Sequence, residues 1–444
     1  MKNFIILFLV VASMLLAQSF DEFNDIKERI SIPIQGRFDV ESIARLSVDI
    51  DYCSRSNEVV YVYATKEEQN MLRDLGYDFT LAPVEIGEND AKAEYHTYET
   101  LTSELKELEA SYPRIAKLYS IGKSVQGREI WVMKISDNVA VDEPEPEIKF
   151  MATMHGDEVV GQELGMNFIR LLLENYGKDA ELTAMVNDLE LWIMPDMNPD
   201  GTANKTRYNA NYKDLNRNFP DPDDDATEDE TNRPLEVQLM MRHVKEHNFR
   251  ISFNFHGGAV VANYAWDTKK GDVPDIAFTK HLALGYAKLN KPMYNSTSFK
   301  NGITNGYDWY TINGSHQDWI YNWHGCIDTT LEVSQRKWPA ASTLEQYWAD
   351  NKDSIVWYCN QARRGIHGIV TDMNGKPLAT KVDIVGINKP ISASKLHGDY
   401  QKLLLPGTYT VKFTANGYED LVVENVVVKD ELKPTILNVK MIAK

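Results

Sequence analysis

Ile148-Lys149-Phe150-Met151-Ala152-Thr153-Met154-His155-Gly156-Asp157-Glu158 is the stretch whose reading decides the fold. The run from Ile148 to Met154 is too short and too rich in strand-forming residues for a helix, so a buried strand is expected. His155 and Glu158 follow at a spacing of three, in a turn that contains Gly156. Val159 to Tyr176 then has helical periodicity, carried by Leu164, Phe168, Leu171 and Leu172. An imidazole and a carboxylate at the carboxyl end of a strand can point into one crevice, the place where open α/β sheets bind ligands.

Outward from this point, strands are expected at 130–135, 189–194, 250–255 and 326–333, and helices at 235–247, 278–288 and 344–361. An amphipathic helix bearing Leu101, Leu105 and Leu108 precedes them and stops before Pro113. The alternation implies one α/β domain over 94–363, with a central mixed sheet flanked by helices. The acidic loop from Asp221 to Glu230 reads as a solvated excursion. Beyond Arg364 the pattern shortens to strands at 366–370, 382–385, 408–413 and 422–428, separated by Asn374-Gly375-Lys376-Pro377 and Pro406-Gly407. Residues 364–444 are therefore expected to form a small all-β sandwich. On the amino side, 19–93 reads as a small α+β segment, with strands at 43–50, 59–63 and 77–81 and a helix at 66–75. Such a β-β-α-β unit is an accessory domain or a pro-segment covering an active site.

The chain has 444 residues, more than one ordinary core, and a formal net charge of −18. That charge argues against nucleic acid and against an anionic membrane as partners. Lys2, the apolar stretch Phe4 to Leu16 and the small or polar Ala17, Gln18 and Ser19 have the layout of a secretory signal peptide over 1–18. A secreted or periplasmic protein without a membrane span is expected. Cys53, Cys326 and Cys359 leave at least one free thiol unless chains pair. Gly122-Lys123-Ser124 is not a phosphate loop, because the position that would need glycine is Lys117.

Four further stretches, with Arg207, complete a chemistry. Phe253-Asn254-Phe255-His256-Gly257-Gly258 places a histidine at a strand end, 98 residues after Glu158. With His155 and Glu158 it makes a His₂Glu set of the kind that holds catalytic Zn²⁺ with a fourth position open. Thr329-Thr330-Leu331-Glu332-Val333 sets a carboxylate in an apolar strand, where burial demands a cation partner or a functional base. Asn198-Pro199-Asp200-Gly201, Arg207 and Asp214-Leu215-Asn216-Arg217-Asn218-Phe219-Pro220 gather two arginines and an asparagine able to hold an anionic group.

These motifs, with Asn305-Gly306-Tyr307-Asp308-Trp309-Tyr310 and Gln317-Asp318-Trp319, stand in the order and approximate spacing of the zinc metallocarboxypeptidases. The chain from about residue 95 most resembles the regulatory subgroup of carboxypeptidases N, E, M and D, whose catalytic domain precedes a transthyretin-like β-sandwich. The resemblance implies one Zn²⁺ per chain held by His155, Glu158 and His256, with Glu332 as general base and acid. It implies Arg207 at the scissile carbonyl, and Asn216, Arg217 and Tyr310 on the terminal carboxylate of the substrate. Asp267, eleven positions after His256, then matches the base of the specificity pocket and implies a preference for C-terminal Arg or Lys. Gln317 stands where related enzymes carry a side-chain-selecting residue. Ser315 and His316 depart from the family's usual Gly-Met pair.

The function expected is therefore an exported, monomeric carboxypeptidase acting on peptide or protein C-termini. A same-fold hydrolase of peptidoglycan stems or acyl-amides would not need the carboxylate clamp, and a non-catalytic peptide-binding protein would be expected to lose a ligand or the base.

Overall fold

The computed structural model describes residues 26–46, 48–54, 58–88 and 94–444. The expected leader lies outside them. Two compact units are separated at Val84 and Glu85.

In the first unit, β1 (Glu28–Pro33), β2 (Asp49–Ser54), β3 (Val59–Ala64) and β4 (Thr80–Leu81) form one antiparallel sheet in the order β2-β3-β1-β4. Helices Arg37–Ala44 and Lys66–Asp74 fill the connections. Thr65 and Glu68 cap the second helix reciprocally, each side chain bonded to the other's backbone amide. The unit is thus β-α-β-β-α-β, which corrects the expected β-β-α-β. The strand expected at 43–50 is helical through Ala44, because Val40 and Ile43 lie one helical turn apart and are buried together.

The second unit is built on β5 (Ala116–Lys123), β6 (Glu129–Ile135), β7 (Glu147–Ala152), β8 (Glu190–Met194), β9 (Phe249–His256), β10 (Val260–Tyr264), β11 (Ile303–Asn305) and β12 (Ile327–Val333). They form one mixed sheet in the order β11-β10-β12-β9-β7-β8-β6-β5. Strands β12, β9, β7 and β8 at its centre are parallel neighbours, and β6 and β10 flank them antiparallel. Every residue of β7, β8 and β9 is buried, as expected of parallel strands covered on both faces. On one face Phe150, Phe253 and Leu331 pack with Phe168 and Leu172 of helix Val160–Asn175, Leu282 of helix Ile276–Leu289 and Tyr358 of helix Leu344–Asn360. On the other, Met151 and Met194 meet Val237, Met240 and Met241 of helix Leu235–Glu246. From β7 the chain runs to β8 on one side and then crosses to β9 on the other. That reversal opens a crevice at the carboxyl ends of β7 and β9.

Residues 366–441 form two small sheets, one containing Ile366–Asp372 and Asp399–Lys402 and the other Lys381–Ile384, Gly407–Thr414 and Leu421–Val428. Ile366, Val370 and Tyr400 from the first share a core with Val382, Val411 and Phe413 from the second, which makes a sandwich. It is locked to the α/β domain. Arg250 donates to Gln401 Oε1 at 2.9 Å and to Ser392 O at 3.0 Å. Lys402 Nζ pairs with Asp275 Oδ1 at 3.0 Å, and Leu403 belongs to the core of the α/β domain. All three cysteines are buried thiols, none of them in a disulfide.

Removing Lys402 would leave Asp275 buried without its ammonium partner. Lys402→Ala is expected to destabilise the second unit by about 3–5 kcal/mol, measured by chemical denaturation. A loss within about 0.5 kcal/mol would show that the pair contributes nothing at this junction.

Candidate active site

Thr153, just past β7, turns the backbone with a φ of 55°, a costly conformation for a β-branched residue. The next turn packs so closely on the Asn198–Gly201 segment that a Cβ on Gly156 would fall 2.0 Å from the carbonyl carbon of Gly201. Asn198 holds both sides: its Nδ2 donates to Met154 O at 3.2 Å and its Oδ1 accepts from Gly201 N at 3.0 Å. The Asn198-Pro199-Asp200-Gly201 stretch opens the short helix Pro199–Asn204, with proline in its first turn.

This brings His155, Glu158 and His256 together: donor atoms of all three lie within 4.8 Å of one another, and all three residues are buried. His155 Nδ1 is 3.0 Å and His256 Nδ1 is 2.8 Å from Glu158 Oε2. His155 Nε2 lies 3.1 Å from Asp214 Oδ1, which fixes the ring with its Nδ1 turned toward Glu158 and His256. Burial keeps His256 below its ordinary pKa, hence neutral. Two imidazole nitrogens and one carboxylate oxygen, with no thiol, fit Zn²⁺ with an open coordination position.

Positive groups surround the carboxylate. Lys337 Nζ lies 2.9 Å from Glu158 Oε1, and Arg207 Nη1 lies 3.3 Å from the same oxygen. Arg207 is fixed in turn by Asp214, whose Oδ2 accepts from its Nε at 2.8 Å. Burial opposes ionisation of Glu158, but His155 and Lys337 outweigh it and hold the carboxyl well below the usual range. Asp214 and Lys337 were not singled out from the sequence. Asp214 does open the Asp-Leu-Asn-Arg motif, whereas Lys337 leaves no signal in spacing.

Glu332 lies on β12 opposite His256 of β9 in the parallel register. It is half-buried, so the full desolvation cost expected from its apolar strand is relieved. Asn216 and Arg217 sit on one turn of 3₁₀ helix, Leu215–Arg217. Asn216 Oδ1 accepts from His316 N at 2.9 Å. The imidazole of His316 points away from this side, donating from Nδ1 to Asp328 at 3.0 Å and accepting from Lys149 Nζ at 3.1 Å. The bond to Asn216 comes from the backbone amide, so the departure at 316 leaves it in place and instead adds an imidazole to the buried layer with Lys149 and Asp328. Burial and the neighbouring Lys149 push His316 down to about 4.

Asp267 is buried, with Oδ1 accepting from Asn263 Nδ2 at 3.0 Å and Gln317 Nε2 at 3.2 Å. Gln317 thus anchors Asp267, and its Oε1 accepts from Thr330 N on β12 at 2.9 Å. A Cβ on Gly306 would land 1.8 Å from Asp267 Oδ1, so only glycine leaves that carboxylate its space. Tyr310 closes the short helix that Gly306 opens. Asp221 corrects the reading of its loop as wholly solvated: its carboxylate is buried, accepting from Gly314 N at 2.8 Å and Thr268 Oγ1 at 3.1 Å.

Such a crevice, with a His₂Glu donor set and a strand-borne carboxylate beside it, defines a metallohydrolase site. Residues 101–354 match the family model for zinc carboxypeptidases, and the chain belongs to that family. It is 40% identical over 368 residues to carboxypeptidase D of Rattus norvegicus, covering 76% of this chain and 26% of that protein. Against carboxypeptidase M of Mus musculus it is 38% identical over 357 residues, covering 73% and 79%. Against the carboxypeptidase N catalytic chain of Homo sapiens it is 34% identical over 395 residues, covering 78% and 85%. The chain spans about a quarter of the length of the carboxypeptidase D proteins it matches. In fold it resembles the carboxypeptidase A of Helicoverpa armigera, with a TM-score of 0.60 at 17% identity over 75% of this chain and 96% of that one. Among the described residues no helix is long and apolar enough to cross a membrane.

His155→Ala, Glu158→Ala and His256→Ala are each expected to abolish stoichiometric zinc, measured by metal analysis of the purified protein. Zinc retained at one per chain in all three variants would refute the ligand assignment.

Proposed function

We propose that the protein is an exported zinc carboxypeptidase that releases single residues, preferentially Arg or Lys, from peptide and protein C-termini. The observation that carries the reading is the register of β9 and β12, which sets Glu332 beside His256 within a complete His₂Glu donor set. Zn²⁺ held by His155, Glu158 and His256 supplies a Lewis acid that polarises a carbonyl and makes water acidic near neutral pH. Glu332 takes the proton of the attacking water and passes it to the leaving amine. Arg207, already oriented by Asp214, donates to the developing oxyanion. Asn216, Arg217 and Tyr310 hold the terminal carboxylate, with a planar guanidinium suited to a bidentate grip. That clamp favours a carboxypeptidase over an acyl-amide hydrolase of the same fold, and a complete set of ligands and base speaks against a purely binding role.

Asp267 supports the preference for basic residues. A buried carboxylate held by Asn263 and Gln317 attracts an ammonium or guanidinium, and leaving it unpaired beneath an apolar side chain is costly. The Lys2 to Ser19 layout supports export, and the sandwich beyond Arg364 supports a transthyretin-like module. The separate compactness of the first unit supports a separable accessory or pro-segment. Limited proteolysis followed by intact mass should yield a stable fragment starting near Glu85, where the second unit begins; cleavage inside the α/β domain first would count against separability.

Hydrolysis of tripeptides ending in Arg, Lys, Leu or Ala tests the activity and its preference together. Glu332→Gln should retain zinc and lose hydrolysis. Asp267→Ala should cut Arg release far more than Ala release. Burial raises the Asp267 carboxyl to about 6, so its charge is present above that pH and lost as pH falls through it. The Arg-to-Leu rate ratio should therefore fall in step with acidification through this range. Equal release of Leu and Arg by the wild type at neutral pH would end the specificity claim while leaving the carboxypeptidase claim standing.

A further inference from the structure

At the end of the sheet opposite His155, the amino ends of β7 and β8 border a cavity of about 920 Å³ lined by both the α/β domain and the sandwich. Glu147 begins β7 and Glu190 begins β8, paired in register, and Asp142 comes from the loop between β6 and β7. Oxygens of these three carboxylates lie within 4.8 Å of one another.

Glu190 is fully buried. Its Oε1 accepts from Lys134 Nζ at 2.7 Å and from Glu143 N at 3.2 Å, while its Oε2 has no hydrogen-bond partner. An unmatched buried carboxylate oxygen is destabilising unless something not yet counted meets it. The neighbouring cations fall short of the acids. Lys134 is shared with Val141 O at 2.9 Å. His247 Nδ1 sits 2.8 Å from Glu147 Oε1, and the Asn248 amide donates to Oε2. His397 Nε2 is 3.6 Å from Asp142 Oδ2. Nearby, Glu143 and Glu145 each carry a buried oxygen without a hydrogen-bond partner. Burial and the adjacent Glu143 push Glu145 up to about 8, and burial and Glu147 push Asp142 up. Seven carboxylates line the cavity against four lysines and arginines, Lys134, Arg242, Lys245 and Lys395, so negative charge is in excess there.

We propose that Asp142, Glu147 and Glu190 bind a hard divalent cation of the calcium type, at a site separate from the zinc centre. The donors are all oxygens, no thiol is among them, and the imidazole nearest Glu147 is already engaged with it, which disfavours Zn²⁺. Carboxylates drawn from a loop and two strand ends suit the irregular, many-oxygen shell of Ca²⁺ better than the strict octahedron of Mg²⁺. The bound ion ties the β6–β7 loop to β8 beside the wall formed by Ser392, Ser394 and Asp399 of the sandwich. Its contribution is to stability at the domain junction, with no part in hydrolysis.

The test uses full-length protein freed of alkaline-earth ions and reloaded with one equivalent of zinc. CaCl₂ is titrated by calorimetry, and Tm is followed in parallel. About one Ca²⁺ per chain should bind with a Kd near or below about 10⁻³ M, raising Tm as the concentration rises. MgCl₂ should give a smaller shift. Asp142→Asn, at an exposed position that the fold tolerates, and Glu190→Gln should each weaken Ca²⁺ binding at least about tenfold, with hydrolysis by Asp142→Asn unchanged. If Glu190→Gln does not fold, Asp142→Asn decides alone. Absence of heat and of any Tm shift up to about 10 mM Ca²⁺, or an affinity unchanged in Asp142→Asn, overturns the proposal.

Discussion

One carboxylate, that of Glu158, sets the terms for the whole crevice. It is 3% exposed, and a carboxylate so placed would be neutral unless the fold brought charge and hydrogen bonds to it. Those groups come from widely separated parts of the chain. His155 comes from its own turn, Arg207 from the loop after β8, His256 and the Gly257 amide from the end of β9, and Lys337 from beyond β12. None of these segments could be displaced by an ångström or two without undoing a contact near 3 Å. The rigid parallel centre of the sheet is therefore a condition of the chemistry, because β7, β9 and β12 fix their ends against one another by register.

The sequence exposes this centre well and its periphery poorly, for a physical reason. Strand β8 is a nearly continuous apolar run, while β7, β9 and β12 interleave apolar residues with buried polar ones, a short-period pattern still legible as strand. β5 is half-exposed, with lysines and a serine among its apolar residues, and β11 has three residues, so neither has a readable period. Helix Ala180–Asp188 and strand β10 are likewise short, with no period that separates them from their flanks. At the site, His155, Glu158, His256 and Glu332 stand out because ionisable residues at the ends of apolar strands are rare. Their supports do not. Asp214 and Lys337 act through contacts at separations of 59 and 179 residues, which no local pattern encodes. Asp221 shows the reverse error, since a loop crowded with acids suggests solvent while one of its carboxylates is buried on the Gly314 amide.

The sandwich is joined to the α/β domain by more than proximity. Leu403 lies in the core of its neighbour, and Arg250 and Lys402 cross the junction in opposite directions with buried partners. A polar layer also runs inside the sheet's second face, from Lys149, His316 and Asp328 beneath the substrate side toward Lys134 and Glu190 at the far end. Burial makes each such group depend on its partner more than on water.

The bridge made by Gln317 has a consequence for how this enzyme can change. One end of that side chain steadies the carboxylate that would read the substrate, and the other grips the backbone of the strand bearing Glu332, two residues away. A change that shifts Gln317 therefore loosens both its hold on the Asp267 carboxylate and its hold on the Thr330 amide of β12. Gly306, whose lack of a side chain leaves the Asp267 carboxylate its space, touches that carboxylate without touching the bridge.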